Sequence, residues 1–355
     1  MAAMTSLDLS QDVVDLTAAL VDIESVSGNE ETITDAIEAA LDPVPWLELW
    51  RHQDSLIART TLGRSERVVI AGHVDTVPIN ANLPSRDDGK HIHGLGSCDM
   101  KGGVAVALLL AASLAEPVRD VTYVFYEAEE VEAERNGLTL ISAVRPDILT
   151  ADFAVLMEPS NAVVEAGCQG TMRVDVSTSG VRAHSARSWN GVNAIHGAAE
   201  VLDRLTSYEP RRPVIDGLRY HEGLNAVAIS GGVAGNVIPD ACTVSINYRF
   251  APDRSEPEAE AHMHEVFEAF DVVVSDSAPG ALPGLDRPAA AAFLEAVGGS
   301  ANPKFGWTDV SRFSSLGIPA VNFGPGNPEL AHTQAEFVPH AHLRSCLEQM
   351  TAWLS

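Results

Sequence analysis

Four short apolar runs, at 67–71, 121–126, 153–157 and 319–323, each stop abruptly at polar or glycine-rich sequence. Runs of this length, rich in valine, phenylalanine and tyrosine, read as buried strands, and the helical stretches between them make the chain alternate β and α. Such an order predicts an open mixed sheet flanked by helices. Ligands of open α/β sheets gather outside the carboxyl ends of the strands, so a site is sought in the residues just beyond each run. After the first comes Gly72-His73-Val74-Asp75, after the second Glu127-Ala128-Glu129-Glu130, after the third Glu158-Pro159-Ser160, and after the fourth Gly324-Pro325-Gly326 with His332 beyond.

The segment 171–275 has a different texture. Met172, Val174 and Val176 alternate with polar residues, a helical stretch covers 192–205, and strands at 224–231 and 242–250 precede a helix near 258–270 and a short run at 272–274. That is the β-α-β-β-α-β order of a ferredoxin-like α+β domain. The expected organisation is one domain formed by 1–168 and 283–355, with a second inserted at 169–282.

Composition excludes several partners. A formal charge of −26 repels phosphate backbones and anionic lipid headgroups, so neither a nucleic acid nor a membrane surface is expected. The first basic residue is Arg51, which leaves no positive n-region for a secretory signal. The longest apolar run, 104–115 broken only by Ser113, falls short of the ~20 residues that cross a bilayer and reads as a buried helix. Cys98, Cys168, Cys242 and Cys346 stand far apart without a C-x-x-C pair, which suggests neither a disulfide scaffold nor a thiolate zinc site and fits a reducing cytoplasm.

Taken singly, the strand-end residues have ordinary explanations. His73 could be a hydrogen-bonded structural histidine, but Asp75, two residues on in extended chain, can accept its ring N–H and fix the tautomer of a metal ligand. Asp99 lies in the glycine-rich turn 94–103 directly before the apolar helix, where it could be an N-cap; the turn lacks the spacing of a phosphate loop. Glu129-Glu130 could be a solvated acidic loop, although adjacent carboxylates after a buried strand are costly without a cation. Glu158 could simply end a strand and His332 simply occupy a loop. His91 and His93 have strand spacing but no carboxylate partner in sequence, and His262 and His264 cannot face each other on a helix, so these four are read as structural or exposed. Two imidazoles with Asp99, Glu130 and Glu158 are too many and too anionic for one tetrahedral zinc with an open position. Two divalent cations against three carboxylates leave a single positive charge, which a bridging hydroxide cancels. One shared carboxylate then spans ions roughly 3.5 Å apart, and Glu129, left uncoordinated, can take the water proton.

Together, Gly72-His73-Val74-Asp75-Thr76-Val77-Pro78, Cys98-Asp99-Met100-Lys101-Gly102-Gly103, Glu129-Glu130, Met157-Glu158-Pro159-Ser160 and Ala331-His332-Thr333 resemble the M20 family of metal-dependent amidohydrolases and peptidases. The resemblance implies a zinc-peptidase-like catalytic domain with two Zn2+, for which Co2+ could substitute. His73 and Glu158 would hold one ion, Glu130 and His332 the other, Asp99 would bridge them, and Glu129 would be the general base beside the orienting Asp75. It also implies that the insert is a lid and dimerisation domain, hence a homodimer.

Within the family the chain is most similar to actinobacterial members that cleave N-succinyl-L,L-2,6-diaminopimelate, through stretches such as Gly180-Val181-Arg182-Ala183-His184-Ser185, Gly235-Asn236-Val237-Ile238-Pro239-Asp240, Asn247-Tyr248-Arg249-Phe250 and Gly306-Trp307-Thr308-Asp309. This implies an anionic N-acyl amino acid substrate, His184 of the partner subunit as oxyanion donor, and Asn236, Arg249, Thr308 and Gly324 around the substrate. The same metals on acetylornithine or a peptide are the alternative. The chain departs from many desuccinylases in carrying Cys168-Gln169 where they have basic residues; Arg182, Arg187 or Arg312 could compensate.

Overall fold

The computed structural model describes residues 6–355, so the first five residues of the expected 1–168 segment lie outside it. The chain forms two compact units. One runs to Ala166 and resumes over Pro283–Asn302 and Arg312–Ser355; the other comprises Gly167–Leu282 and Pro303–Ser311. The stretch Pro303–Ser311, expected with the catalytic segments, thus belongs to the second unit. The indole N–H of Trp307 and the hydroxyl of Ser311 both donate to the Pro279 carbonyl, at 3.1 and 2.7 Å, which ties the stretch there.

The first unit is built on an eight-stranded sheet in the order Glu48–His52, Ser55–Arg59, Asp120–Tyr126, Arg67–His73, Phe153–Leu156, Ala320–Asn322, Val164–Ala166, Ala301–Pro303. The four apolar runs of the sequence are its parallel centre: Arg67–His73 pairs parallel with Asp120–Tyr126 and with Phe153–Leu156, and Ala320–Asn322 pairs parallel with Phe153–Leu156. Strands buried on both faces are near-continuously apolar, which is why these segments show no alternation. Register brings His73 opposite Tyr126 and Leu156 opposite both Ala71 and Asn322. Parallel pairing therefore sets the polar residues beyond each strand along one edge.

Helix Gly102–Ser113 buries ten of its residues, Gly102 through Ala111, and packs against Val13–Val21, His340–Leu354 and strand Arg67–His73. A helix apolar on every side is stable only when enclosed, which is the fate the sequence predicts for the longest apolar run. Among the described residues no helix is long and apolar enough to cross a membrane. All four cysteines are buried and unbridged.

The second unit has a four-stranded antiparallel sheet in the order Gly223–Gly231, Ala241–Phe250, Gly170–Ser179, Asp271–Ala278, with helices Ala194–Thr206 and Glu256–Val266. Its chain order is the expected β-α-β-β-α-β. Alternation in Gly170–Ser179 places Met172, Val174 and Val176 in a core shared with Val244, Ile246, Ala198 and Met263. Gly223–Gly231 is an edge strand whose residues beyond Leu224 are exposed.

Candidate metal centre

The strand Arg67–His73 ends on the first candidate ligand. His73 is 1 % exposed, with Nε2 3.1 Å from Asp99 Oδ1 and Nδ1 3.1 Å from the Asp75 carbonyl oxygen and 3.4 Å from its carboxylate. Asp75, fully buried, has a further task that the sequence does not show. Its Oδ1 accepts the backbone N–H of Glu129 at 3.0 Å, and its Oδ2 accepts that of Glu130 at 3.1 Å and the Ser27 hydroxyl at 2.7 Å. One carboxylate thereby joins the end of one central strand to the loop after its neighbour.

That loop is held on its other side by acidic residues. Glu30 accepts the Ala128 N–H at 3.2 Å, and Glu127 accepts the Asp54 N–H at 3.2 Å and the Ser55 hydroxyl at 3.1 Å. Ala128 has φ +56° and His332 φ +62°, a region that costs a non-glycine residue ~1–2 kcal/mol. Such strain concentrates where surrounding structure must aim a functional side chain.

Asp99 lies in the turn Ser97–Lys101 with φ −120° and ψ 87°, and Lys101 occupies the N-cap of the apolar helix. Asp99 is therefore not the N-cap. Its two oxygens face different imidazoles: Oδ1 toward His73, and Oδ2 toward His332 Nε2 at 3.3 Å. His332 Nε2 is also 3.0 Å from the Glu130 carboxylate. Two glycines make the convergence possible. A Cβ on Gly103 would lie 2.1 Å from the Met157 carbonyl oxygen, and one on Gly324 would lie 2.3 Å from that oxygen and 2.6 Å from that of Glu158. Only glycine allows the helix start and the end of the fourth central strand to close on Met157 and Glu158.

The donor atoms of His73, Asp99 and Glu158 lie within 4.8 Å of one another, as do those of Asp99, Glu130 and His332, and those of His73, Glu129 and Glu130. Asp99 is common to the first two groups. Two imidazole nitrogens with three carboxylates suit borderline divalent cations, and the electrostatics express the same demand. In the metal-free chain, burial opposes protonation of His73, but Asp75 and Asp99 overcome it and hold the imidazole well above its ordinary pKa. Hydrogen bonds to Asp99 and Glu130 raise His332 to about 10. Asp99, despite burial, is held below the usual carboxylate range by the two imidazoliums. Cations would satisfy the same carboxylates that favour charge on these imidazoles, and the residues fit a pair of divalent ions.

The other candidates, apart from Gly324, lie in the second unit. His184 is exposed, and its Nδ1 accepts the Ala186 N–H at 3.0 Å, which places the proton of the neutral ring on Nε2. Asn236 is its neighbour: the Asn236 carbonyl accepts the Ser185 N–H at 2.9 Å, and Val237 pairs with His184. Arg249 donates from Nε to Asn247 Oδ1 at 3.1 Å, and burial together with Arg173 lowers its pKa. The Thr308 carbonyl lies 3.7 Å from the buried Cys168 thiol. Gln169 is 1 % exposed and accepts the His221 N–H at 3.1 Å, so Cys168-Gln169 serves packing. Of the arginines that could compensate, Arg182 is bound to Asp240 at 2.7 Å, Arg312 of the first unit donates to Thr139 at 2.5 Å, and Arg187 is exposed.

Two residues escape sequence reasoning. Glu336, 2 % exposed, accepts the N–H groups of Gly96 at 3.1 Å, Cys98 at 2.9 Å and Asp99 at 3.2 Å. Its sole sequence signal is an acidic residue shortly after His332. Asp88, three residues before His91, is a carboxylate partner of both His91 and His93, at 3.1 and 2.9 Å, which corrects the expectation that they have none.

The family model described as peptidase family M20/M25/M40 matches residues 69–355. A Mycobacterium tuberculosis protein named "Putative succinyl-diaminopimelate desuccinylase DapE" is 54% identical over 351 residues, covering 98% of this chain and 99% of that protein. A succinyl-diaminopimelate desuccinylase of Corynebacterium glutamicum is 46% identical over 360 residues, covering 98% of each. Among solved structures, a tripeptidase from Staphylococcus aureus superposes with a TM-score of 0.80 at 22% identity, over 99% of this chain and 98% of that one, a likeness of fold.

Proposed function

The chain belongs to peptidase family M20/M25/M40, and on that premise we propose that it is a dinuclear zinc amidohydrolase cleaving N-succinyl-L,L-2,6-diaminopimelate to succinate and L,L-2,6-diaminopimelate. The observation that carries this reading is Asp99, whose two oxygens face the imidazoles of His73 and His332 and which both donor groups share. His73 and Glu158 would hold one ion, Glu130 and His332 the other, with Asp99 common to both. Bound zinc supplies Lewis-acid polarisation of the scissile carbonyl and a lowered pKa for water.

The chain's own groups do the rest. Glu129, whose backbone Asp75 anchors, accepts the proton of the attacking water and delivers it to the leaving amine. His184 of the partner subunit donates from Nε2 to the developing oxyanion, a contribution worth about 3–4 kcal/mol for a well-placed donor. Arg249 offers a bidentate guanidinium to a substrate carboxylate, and Asn236, Thr308 and Gly324 orient the remainder.

The second unit is the lid and dimerisation domain. Its edge strand leaves Val227 58 % and Ile229 54 % exposed, an unpaired apolar edge of the kind that a second copy covers. Cytoplasmic residence accords with the unbridged cysteines.

The deciding experiment compares kcat/KM of the zinc-loaded protein on succinyl-diaminopimelate, acetylornithine and dipeptides. The first should exceed the others by at least about 100-fold, since a site built for a second carboxylate rejects substrates that lack it. Preference for acetylornithine or a dipeptide would replace the substrate assignment and leave the metal chemistry standing.

A further inference from the structure

A second convergence of donors lies in the hairpin of strands Arg86–Asp87 and His91–His93. Two-residue spacing sends the rings of His91 and His93 to the same face of their strand. The turn between the strands returns Asp88 to that face. Its Oδ1 accepts the N–H groups of Lys90 at 2.9 Å and His91 at 2.8 Å, which fixes the carboxylate. Oδ2 is left 3.1 Å from His91 Nδ1 and 2.9 Å from His93 Nε2. Phe337, on the paired strand Phe337–Pro339, holds both rings, with centroids 4.7 Å from His91 and 5.4 Å from His93. The side chains of Asp88, His91 and His93 are 33, 32 and 25 % exposed, so solvent and solutes reach them. The adjacent carboxylate, Asp87, is engaged by His340 at 3.1 Å.

We propose that Asp88, His91 and His93 form a further divalent-cation site, separate from the one centred on Asp99, that takes zinc or a similar borderline cation with water completing the shell. Two imidazole nitrogens and one carboxylate oxygen are a donor set that zinc favours and that calcium and magnesium, which prefer all-oxygen shells, do not. Donors about 2.0–2.1 Å from a tetrahedral zinc stand roughly 3.3 Å apart, a few tenths of an ångström from the two carboxylate–imidazole spacings here, and all three donor atoms lie within 4.8 Å of one another. The turn hydrogen bonds and the Phe337 contact order all three donors before an ion arrives, which lowers the cost of binding. A cation bound there clamps the hairpin that leads into the Gly94–Asp99 turn.

The test uses the untagged full-length chain, stripped with chelator and then equilibrated with Zn2+. Zinc per chain is measured by elemental analysis, and affinities by calorimetry, for the unaltered protein and for H91A/H93A. The double variant should bind one ion fewer, a difference that does not depend on how many the Asp99 site holds. Titrated with Co2+, the unaltered chain should show a tetrahedral visible absorption component that the variant lacks. D88N, whose amide oxygen can keep the turn hydrogen bonds, provides a second reading should the double variant fold poorly, and should weaken this site at least about tenfold. Equal zinc content and equal Co2+ spectra in the unaltered chain and the variants would overturn the proposal and leave Asp88 as an ion-pair partner of the two histidines.

Discussion

Glu336 accepts the backbone N–H of Asp99 at 3.2 Å across 237 residues of chain, and the same carboxylate takes the N–H groups of Cys98 and Gly96. Burial raises its pKa to about 7 against the pull of those three donors. Removing it in Glu336→Ala would leave three donors in a buried turn without their acceptor, a loss of about 1–3 kcal/mol for each one that stays dry. Glu336→Gln keeps the shape but turns an amide NH2 toward at least one donor. Both variants should bind zinc at least about tenfold more weakly in chelator competition, because the turn that aims Asp99 loses its clamp. Native zinc affinity in Glu336→Ala would show that the turn holds its shape unaided.

Asp75 is the other clamp. By accepting from Glu129, Glu130 and Ser27 it aligns two candidate chemical groups with His73. Asp75→Asn should lower kcat by about two orders of magnitude with little change in KM, since misplacement of a reacting group by ~1 Å costs that much. Ser27→Ala, which removes one neutral donor, should cost about 1 kcal/mol of stability and leave kcat within severalfold. Steady-state kinetics with thermal melts separates the two, and equal effects would refute the distinction.

Glu129→Gln should retain both ions and lose at least about 100-fold in single-turnover rate, the usual contribution of a positioned general base. Near-normal turnover with full metal content would remove Glu129 from that role.

Metal uptake should release protons. His73 and His332 are held protonated at neutral pH in the metal-free chain, whereas a ligating imidazole must be neutral. Their raised pKa values therefore make apparent zinc affinity climb with pH through the neutral range. Calorimetry in buffers of different ionisation enthalpy should count about two protons released per chain by the imidazoles at pH 7, besides any given up by bound water. No proton release would mean that the imidazoles were already neutral.

Ile229→Lys places a charge on the exposed edge strand Gly223–Gly231. Size-exclusion chromatography with light scattering should show a monomer with native circular dichroism, and, if the partner's His184 completes the site as proposed, kcat should fall with it. A dimer of unchanged stability would move the interface elsewhere.

The parallel centre of the first sheet and the β-α-β-β-α-β order of the second unit are legible because strand burial writes itself into the sequence. A strand enclosed on both faces is continuously apolar, as in Val121 to Tyr126, and one with a single buried face alternates, as in Met172, Val174 and Val176. The strand-end rule then picks out His73, Glu130, Glu158 and His332, and the glycine-rich turn before the apolar helix supplies Asp99; the fold gathers the donor atoms of all five into overlapping groups. The true N-cap, Lys101 rather than Asp99, and the Asp88 partner of His91 and His93 are not legible in the same way, since each depends on backbone geometry inside a turn.

Residue type and period thus determined which elements form and which side chains can bind a cation, because both arise from local chemistry. Tertiary structure alone decided which distant groups meet: that one oxygen of Asp99 faces His73 and the other His332, and that Glu336 grips the same turn. The physical reason is range. Apolar periodicity reports burial over a few residues, whereas hydrogen bonds and ion contacts act over about 3 Å and join positions whose separation along the chain carries no mark of it.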